Sequence, residues 1–352
     1  MARSPRSRRA TARRLLTVAA VIASLAALTA CGDSSPSAAP AAATPAAAAG
    51  PVTIEHKYGT TTIPAPPKRV VSVGFTDQDP VLALGVVPVG IRDWYGDQPD
   101  ATWPWAHDKL GGAKPTVLSA AEIDPEAVAA LKPDLIVGLS SGMTAKDYAT
   151  LSKIAPTLAQ PKQYVDYGTP WQEAQLIIGK ALFKQDEAQA LVDGVEAQFA
   201  AAKAAHPEFD GATAVFGALG NGLVYAYTDQ DSRGRILKAL GTTVPQQLLT
   251  LAGDKFYAEV STERLDLLDT DALVLLSTDA SAISKLQSSK VFKGLRVSKE
   301  GRDIPMSDLV VGAEAGFASV LSIPAFLDTF VPVLADALDG DPATAVKAPA
   351  QS

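Results

Sequence analysis

Few residues of this chain are arranged for covalent chemistry. The stretch "GLSSG" (138–142) fits G-x-S-x-G after a strand-like run, the setting of a hydrolase nucleophile. A triad would then need a later histidine, and the only one is His206, at the end of a polar helical stretch. Ser140 and Ser141 therefore read as a small-residue loop. His56, His107 and His206 are too scattered to build a direct metal site. "GALGNG" (217–222) lacks the Lys-Ser/Thr of a phosphate loop and reads as a strand end and turn. What the chain concentrates instead is equipment for non-covalent recognition. Three of its four tryptophans, Trp94, Trp103 and Trp105, lie in "DWYGDQPDATWPW" (93–105), with Tyr95 beside the first and Arg92 just ahead. Gly96, Pro99 and Pro104 exclude a regular helix or a central strand there, so the rings do not serve a periodic core face. Rigid rings with polar tips on an irregular segment suit ligand contact. A second group lies in "NGLVYAYTDQDSRGR" (221–235). Tyr225 and Tyr227 are two apart and share one face of a short strand, and Ser232 and Arg233 stand at a helix start that favours anions. Phe256 and Tyr257 follow in "DKFYAE".

The elements that must position these residues alternate in type. "RVVSVG" (69–74) and "DLIVGL" (134–139) read as buried strands. "DQDPVLALG" (77–85) and "DPEAVAALKPD" (124–134) read as helices, the second with Asp124 as N-cap, Pro125 at the first helical position and Pro133 as stop. Alternating strand and helix signals imply an α/β domain with a largely parallel sheet. The pattern recurs downstream: "ATAVFGAL" (212–219) is strand-like and "GRILKALG" (234–241) matches "DPVLALG". In "STERLDLLDTDALVLL" (261–276), Glu263, Leu268, Asp271 and Val274 repeat the spacing of Glu126, Leu131, Asp134 and Val137. Two lobes of related fold follow. Between them, "DEAQALVDGVEAQFAAAKAAH" (186–206) puts Ala188, Leu191, Val192, Val195 and Phe199 at helical spacing, interrupted only by Gly194, which a helix tolerates at about 1 kcal/mol. One long helix then joins the lobes and leaves a cleft between them.

The ends carry different signals. Residues 1–30 hold six arginines and no acid, then an apolar run too short for a comfortable membrane span, as in a secretory signal peptide. "LTAC" (28–31) ends in the sole cysteine, Cys31, and resembles the lipobox of bacterial lipoproteins, whose cysteine becomes a diacylglyceryl, N-acylated (palmitate-bearing) N-terminus. Arg13–Arg14 leaves Sec and twin-arginine export both open. Residues 31–50, almost wholly Ala, Ser, Pro and Thr, read as a disordered tether. The expected division is 1–30 signal, 31–50 tether, 51–184 first α/β lobe, 185–207 linking helix, 208–340 second α/β lobe and 341–352 disordered tail. Removing the six arginines from 31 basic residues leaves 25 against 38 acidic ones, a formal −13, which argues against nucleic acid and against binding anionic lipid by charge.

Six segments in order, "IPAPPKRVVSVG", "LALGVVPVGI", "LKPDLIVGL", "KIAPTL", "GKALFKQDEAQALVDGVEAQFAAAKA" and "STERLDLLDTDALVLL", spread over residues 52–335, resemble the iron–siderophore and cobalamin substrate-binding lipoproteins of ABC importers. The resemblance implies two Rossmann-like lobes joined by one rigid helix. It implies a non-enzymatic, monomeric receptor without cofactors, held at the extracytoplasmic face of the cell membrane by lipid, with iron present only inside its ferric siderophore ligand. It implies that Glu126 and Glu263, one per lobe, meet arginines of the membrane permease; the alternative is an acid complementing a helix dipole. Cobalamin or haem is the runner-up ligand, and a scavenging or signalling surface protein without a permease is the other class.

The aromatic stretch falls within the residues by which the first lobe exceeds the second between matched positions, and it leaves the end of the strand-like "VVPVGI" (86–91), where α/β ligand sites lie. Arg92, Trp94, Tyr95 and Trp103 are expected to line the cleft, with Trp94 the leading contact, and Trp105 to anchor the loop. Tyr225, Tyr227, Arg233, Phe256 and Tyr257 are expected to form the facing wall.

Overall fold

The computed structural model describes residues 50–349. The signal segment, Cys31, nearly all of the tether and residues 350–352 lie outside the described residues. The chain opens with a hairpin, β1 (Val52–His56) and β2 (Gly59–Ile63), paired antiparallel. Five parallel strands follow: β3 (Val70–Ser72), β4 (Gly90–Arg92), β5 (Thr116–Leu118), β6 (Leu135–Gly138) and β7 (Thr157–Ala159), in the order β5-β4-β3-β6-β7. β3 and β6 are buried at every position, as expected of continuous β-branched runs covered by helices on both faces. β4 is shorter than its apolar run, because Pro88 has no N–H to give a neighbouring strand.

The second sheet contains β8 (Ala214–Gly220), β9 (Leu223–Tyr227), β10 (Tyr257–Ser261), β11 (Ala272–Leu276) and β12 (Asp303–Met306), in the order β10-β9-β8-β11-β12. β11 runs parallel to β8 and β12, while β9 is antiparallel to both β8 and β10. The tight turn at Asn221 (φ 51) and Gly222 (φ 75) makes a hairpin where the first lobe has a crossover helix. Relation between the lobes is therefore strongest in β3–β6 and β8–β11. There the sequence repeat has a physical basis: Asp134, just before β6, accepts from Lys68 N and Arg69 N at 2.8 Å, and Asp271, just before β11, accepts from Thr213 N at 2.9 Å and Thr213 Oγ1 at 2.7 Å. Each carboxylate ties the start of one strand to the start of its parallel neighbour. The elements preceding them differ. Asp124 caps the Pro125–Ala130 helix by accepting from Glu126 N and Ala127 N. The second lobe has neither that cap nor the proline, and forms only a 3-10 turn, Leu265–Leu268.

The linking helix spans Gln185–Ala205. Ala188 joins the first-lobe core with Ile178 and Leu182, whereas Val195 and Phe199 join the second-lobe core with Phe209 and Phe330. Leu191 packs against both cores. One amphipathic stripe is thus shared end to end by two cores. At the chain's far end, Val346 packs against the second-lobe core. Gly194 is exposed on the helix, and a methyl group there would meet nothing within 4 Å. Gly194→Ala should therefore raise unfolding stability by about 0.5–1 kcal/mol in denaturant titrations. A loss of stability would show that the helix bends at this residue.

Candidate ligand-binding site

A cavity of about 1000 Å³, open solvent at its mouth included, lies between the two lobes and is lined from both. Its first-lobe wall is a run of rings. Phe75 stacks on Trp94 at 5.3 Å and on Tyr167 at 6.0 Å between ring centroids, and Trp94 meets Phe317 of the second lobe at 5.3 Å. Trp94 and Tyr167 stay 37% and 50% exposed, so their faces remain available. Phe75 is backed by Arg92, whose guanidinium lies 4.2 Å from the ring centroid.

The second lobe supplies cations. Asp231 caps the Ser232–Ala239 helix by accepting from Arg233 N. It also grips the Arg233 side chain in a fork, with Nε at 2.7 Å and Nη2 at 2.8 Å. The guanidinium lies 3.6 Å from the Tyr227 ring centroid. Burial alone would lower the Arg233 pKa, but Asp231 more than offsets it and the net direction is up. Arg233 is thus a fixed cation whose charge is balanced. Arg235 differs: its Nε donates to Asp229 O at 3.0 Å, and it forms no ion pair among the described residues. Burial lowers its pKa, with Asp231 pulling the other way. Arg235 therefore supplies the cavity's unbalanced positive charge.

Two buried carboxyls stand at the interlobe side of the Gln78–Ala83 helix. Asp77 lines the cavity and accepts from Ser140 N with both oxygens at 3.1 Å. Burial pushes it up to about 7, against the backbone N–H groups of Ser140 and Leu139. Asp79 Oδ2 accepts from Trp105 Nε1 at 2.8 Å and from Ser319 Oγ of the second lobe at 2.6 Å. Burial pushes Asp79 up to about 6, against the bonds from Ser319 and Trp105.

The aromatic segment serves a second purpose. Trp103 is only 2% exposed and clusters with Ala313 and Phe317, joined by Tyr95 and Trp105. Trp103 and Trp105 stack at 5.2 Å, and both meet the Phe317 ring edge-on at 5.8 and 5.3 Å. The loop is thus fastened to the opposite lobe as well as to its own, where Ala101 and Ala106 pack with Leu82 and Ile91. Gly96, at φ 89, permits this, since a Cβ there would lie 2.9 Å from the Trp103 ring.

Of the residues expected at the cleft, Trp94, Arg233 and Phe256 line the cavity. Tyr95 and Tyr227 stand one layer behind: the Tyr95 hydroxyl and Arg233 Nη1 would lie 3.7 and 4.0 Å from a Cβ at Gly316. Burial pushes the Tyr95 phenol up to about 12. Arg92 and Trp103 do not reach the cavity. Arg92 is buried because the carbonyls of Val73, Ser119, Ala120 and Ser141 surround its guanidinium and take its hydrogen bonds. Tyr225 and Tyr257 pair edge-on at 5.4 Å further along β9 and β10. The anion-friendly helix start at Ser232 is occupied by the Asp231 carboxylate. Ser140 lines the cavity, and Ser141 Oγ donates to Gly138 O instead. His206 pairs with Glu208 at 2.9 Å and stacks on Phe209, so it serves no serine. Sequence reasoning missed Phe75, Tyr167, Trp171, Arg235 and Phe317. Arg235 had a local signal in "SRGR", but helical spacing places it away from Arg233, and only the first-turn geometry brings both to the cavity. Among the described residues no group of three or more His, Cys, Asp or Glu could hold a metal ion. Glu126 and Glu263 are both exposed, at matched positions ahead of β6 and β11.

The raised carboxyls give stability a defined pH dependence. Both bind a proton more tightly folded than unfolded, so the stability they contribute is complete below about pH 4 and lost as pH rises through about 6 to 7. Asp77→Asn keeps an acceptor for Ser140 N and cannot ionise. Its melting temperature should fall less than the wild type's between about pH 4 and pH 8. Parallel profiles would show that Asp77 titrates normally.

Residues 71–304 match the periplasmic binding protein family. The Fe(3+)-citrate-binding protein YfmC of Bacillus subtilis is 28% identical over 253 residues, 71% of this chain and 76% of that protein. A periplasmic solute binding protein of Mycobacterium smegmatis shares 37% identity and superimposes with a TM-score of 0.74 over 82% of this chain and 99% of its own. PiaA of Streptococcus pneumoniae, an iron uptake ABC transporter substrate-binding protein, is 26% identical; two structures of it, the second in complex with ferrichrome, give TM-scores of 0.69 and 0.71 over 82% of this chain and 99% and 98% of their own. With most of its length matched by that family and both lobes, the linking helix and the interlobe cavity in place, this chain belongs to the periplasmic binding proteins.

Proposed function

We propose that this protein is the extracytoplasmic receptor of an iron importer, capturing a ferric siderophore or related ferric chelate between its lobes and delivering it to an ABC permease. The observation that carries this reading is the cavity wall itself: the half-buried ring of Phe75 and the exposed rings of Trp94 and Tyr167 on one lobe face Arg233 and Arg235 on the other. Ferric chelates offer the matching surface, anionic or polarised oxygens around the metal and an apolar skirt outside. Iron is cargo here, entering already chelated. The ligands named for YfmC and PiaA support the same class. Glu126 and Glu263 would each meet a permease arginine, and Cys31, after signal removal, would carry the lipid that holds a monomer at the membrane through the tether 31–50. The 21-residue helix shared by both cores favours modest lobe adjustment over a wide hinge.

Tryptophan fluorescence of the soluble domain, titrated with ferric hydroxamates, ferric catecholates, ferric citrate, cobalamin and haem, tests the reading. Saturable quenching by a ferric chelate below micromolar, about −8 kcal/mol, is expected. Trp94→Ala should weaken it at least about tenfold, and Arg235→Ala by about ten- to a hundredfold, the range of one hydrogen bond to a charged group. Binding of cobalamin or haem alone would overturn the iron assignment. In cells, Glu126→Lys with Glu263→Lys should abolish uptake and leave affinity unchanged. Uptake surviving both reversals would remove the docking role.

A further inference from the structure

The two sides of the cavity differ in the kind of hydrogen bond they offer. Second-lobe residues bring two guanidinium groups, which only donate. First-lobe lining residues include no lysine or arginine. The buried polar atoms left without a partner on that side are both oxygens, Gln175 Oε1 and Thr169 Oγ1. Gln175 projects from the Trp171–Ala181 helix and is 1% exposed. Its Nε2 faces Pro80 O at 3.5 Å. A carbonyl can only accept, so turning the amide over would set two oxygens against each other; the orientation that leaves Oε1 free is the favoured one. Asp77 lines the same side with both oxygens already turned to Ser140 N.

An unpaired buried acceptor costs about 1–3 kcal/mol, and a ligand donor placed against it recovers that cost. A ligand without the donor leaves it standing, which is how a polar site rejects an otherwise similar molecule. From this geometry we infer that Gln175 is a specificity-determining residue: its Oε1 accepts a hydrogen bond from an ammonium, amide or hydroxyl donor on the chelate, at the opposite end from the oxygens held by Arg233 and Arg235. The inference rests on the ferric-chelate reading and narrows it to chelates that carry acceptors at one end and a donor at the other.

The test uses two probes, a linear ferric trihydroxamate ending in a primary ammonium and the same chelate ending in a methyl group. Wild-type protein should bind the first at least tenfold more tightly. In Gln175→Leu and in Gln175→Met, each checked for an intact melting transition, that preference should shrink to within twofold, chiefly through weaker binding of the ammonium-ended chelate. Equal binding of both probes by wild type, or a preference that persists in both variants, overturns the role of Gln175 while leaving the ferric-chelate reading intact. Failure of wild type to bind either probe, if it binds no other ferric chelate, overturns that reading and this inference with it.

Discussion

The arrangement of the two lobes depends on the packing of one phenylalanine. Phe317 ends the Leu309–Phe317 helix of the second lobe, and four rings of the first-lobe loop, Trp94, Tyr95, Trp103 and Trp105, surround it at centroid distances of 5.3 to 6.5 Å. Edge-to-face contacts of this kind add about 0.5–1.5 kcal/mol per pair beyond area burial. Beside them, Asp79 links the Trp105 indole to the Ser319 hydroxyl, so the aromatic contact is pinned by a buried acceptor. The lobes are thus joined twice, by the shared helix at one place and by this cluster at another. The cavity occupies the space the two junctions leave, and Trp94 and Phe317 belong to both the junction and the wall.

What could be read from the sequence follows from how local each cause is. The Gln185–Ala205 helix was legible because its buried residues recur at helical spacing, and the repeat was legible because Asp134 and Asp271 do the same work at the feet of matched strands. The hairpin that puts β9 antiparallel was hidden, since an alternating stretch such as "LVYAY" has the same appearance whichever way it pairs. At the site, Trp94, Arg233 and Phe256 stood out by type.

The misses share one feature. Phe317 sits in an apolar helical stretch and looks like core; its meaning comes from partners more than 200 positions earlier. Phe75, Tyr167 and Trp171 lie in three separate loops or helix starts and acquire a common role only when the sheet edges bring them together. Arg92 failed in the opposite sense. An arginine at a strand end beside aromatics resembles an anion contact, yet four main-chain carbonyls converge on it, and no linear pattern records where carbonyls point.

The double duty of Phe317 also divides the cavity by how freely its residues can change over evolutionary time. A substitution at Phe317 or Trp94 alters lobe packing together with ligand contact, so drift there is held in check by folding as well as by binding. Phe256 and Arg235 touch the cavity without joining that cluster. New ligand ranges can therefore arise by exchange on the second-lobe rim, while the aromatic side persists as a common platform beneath differing selectivities.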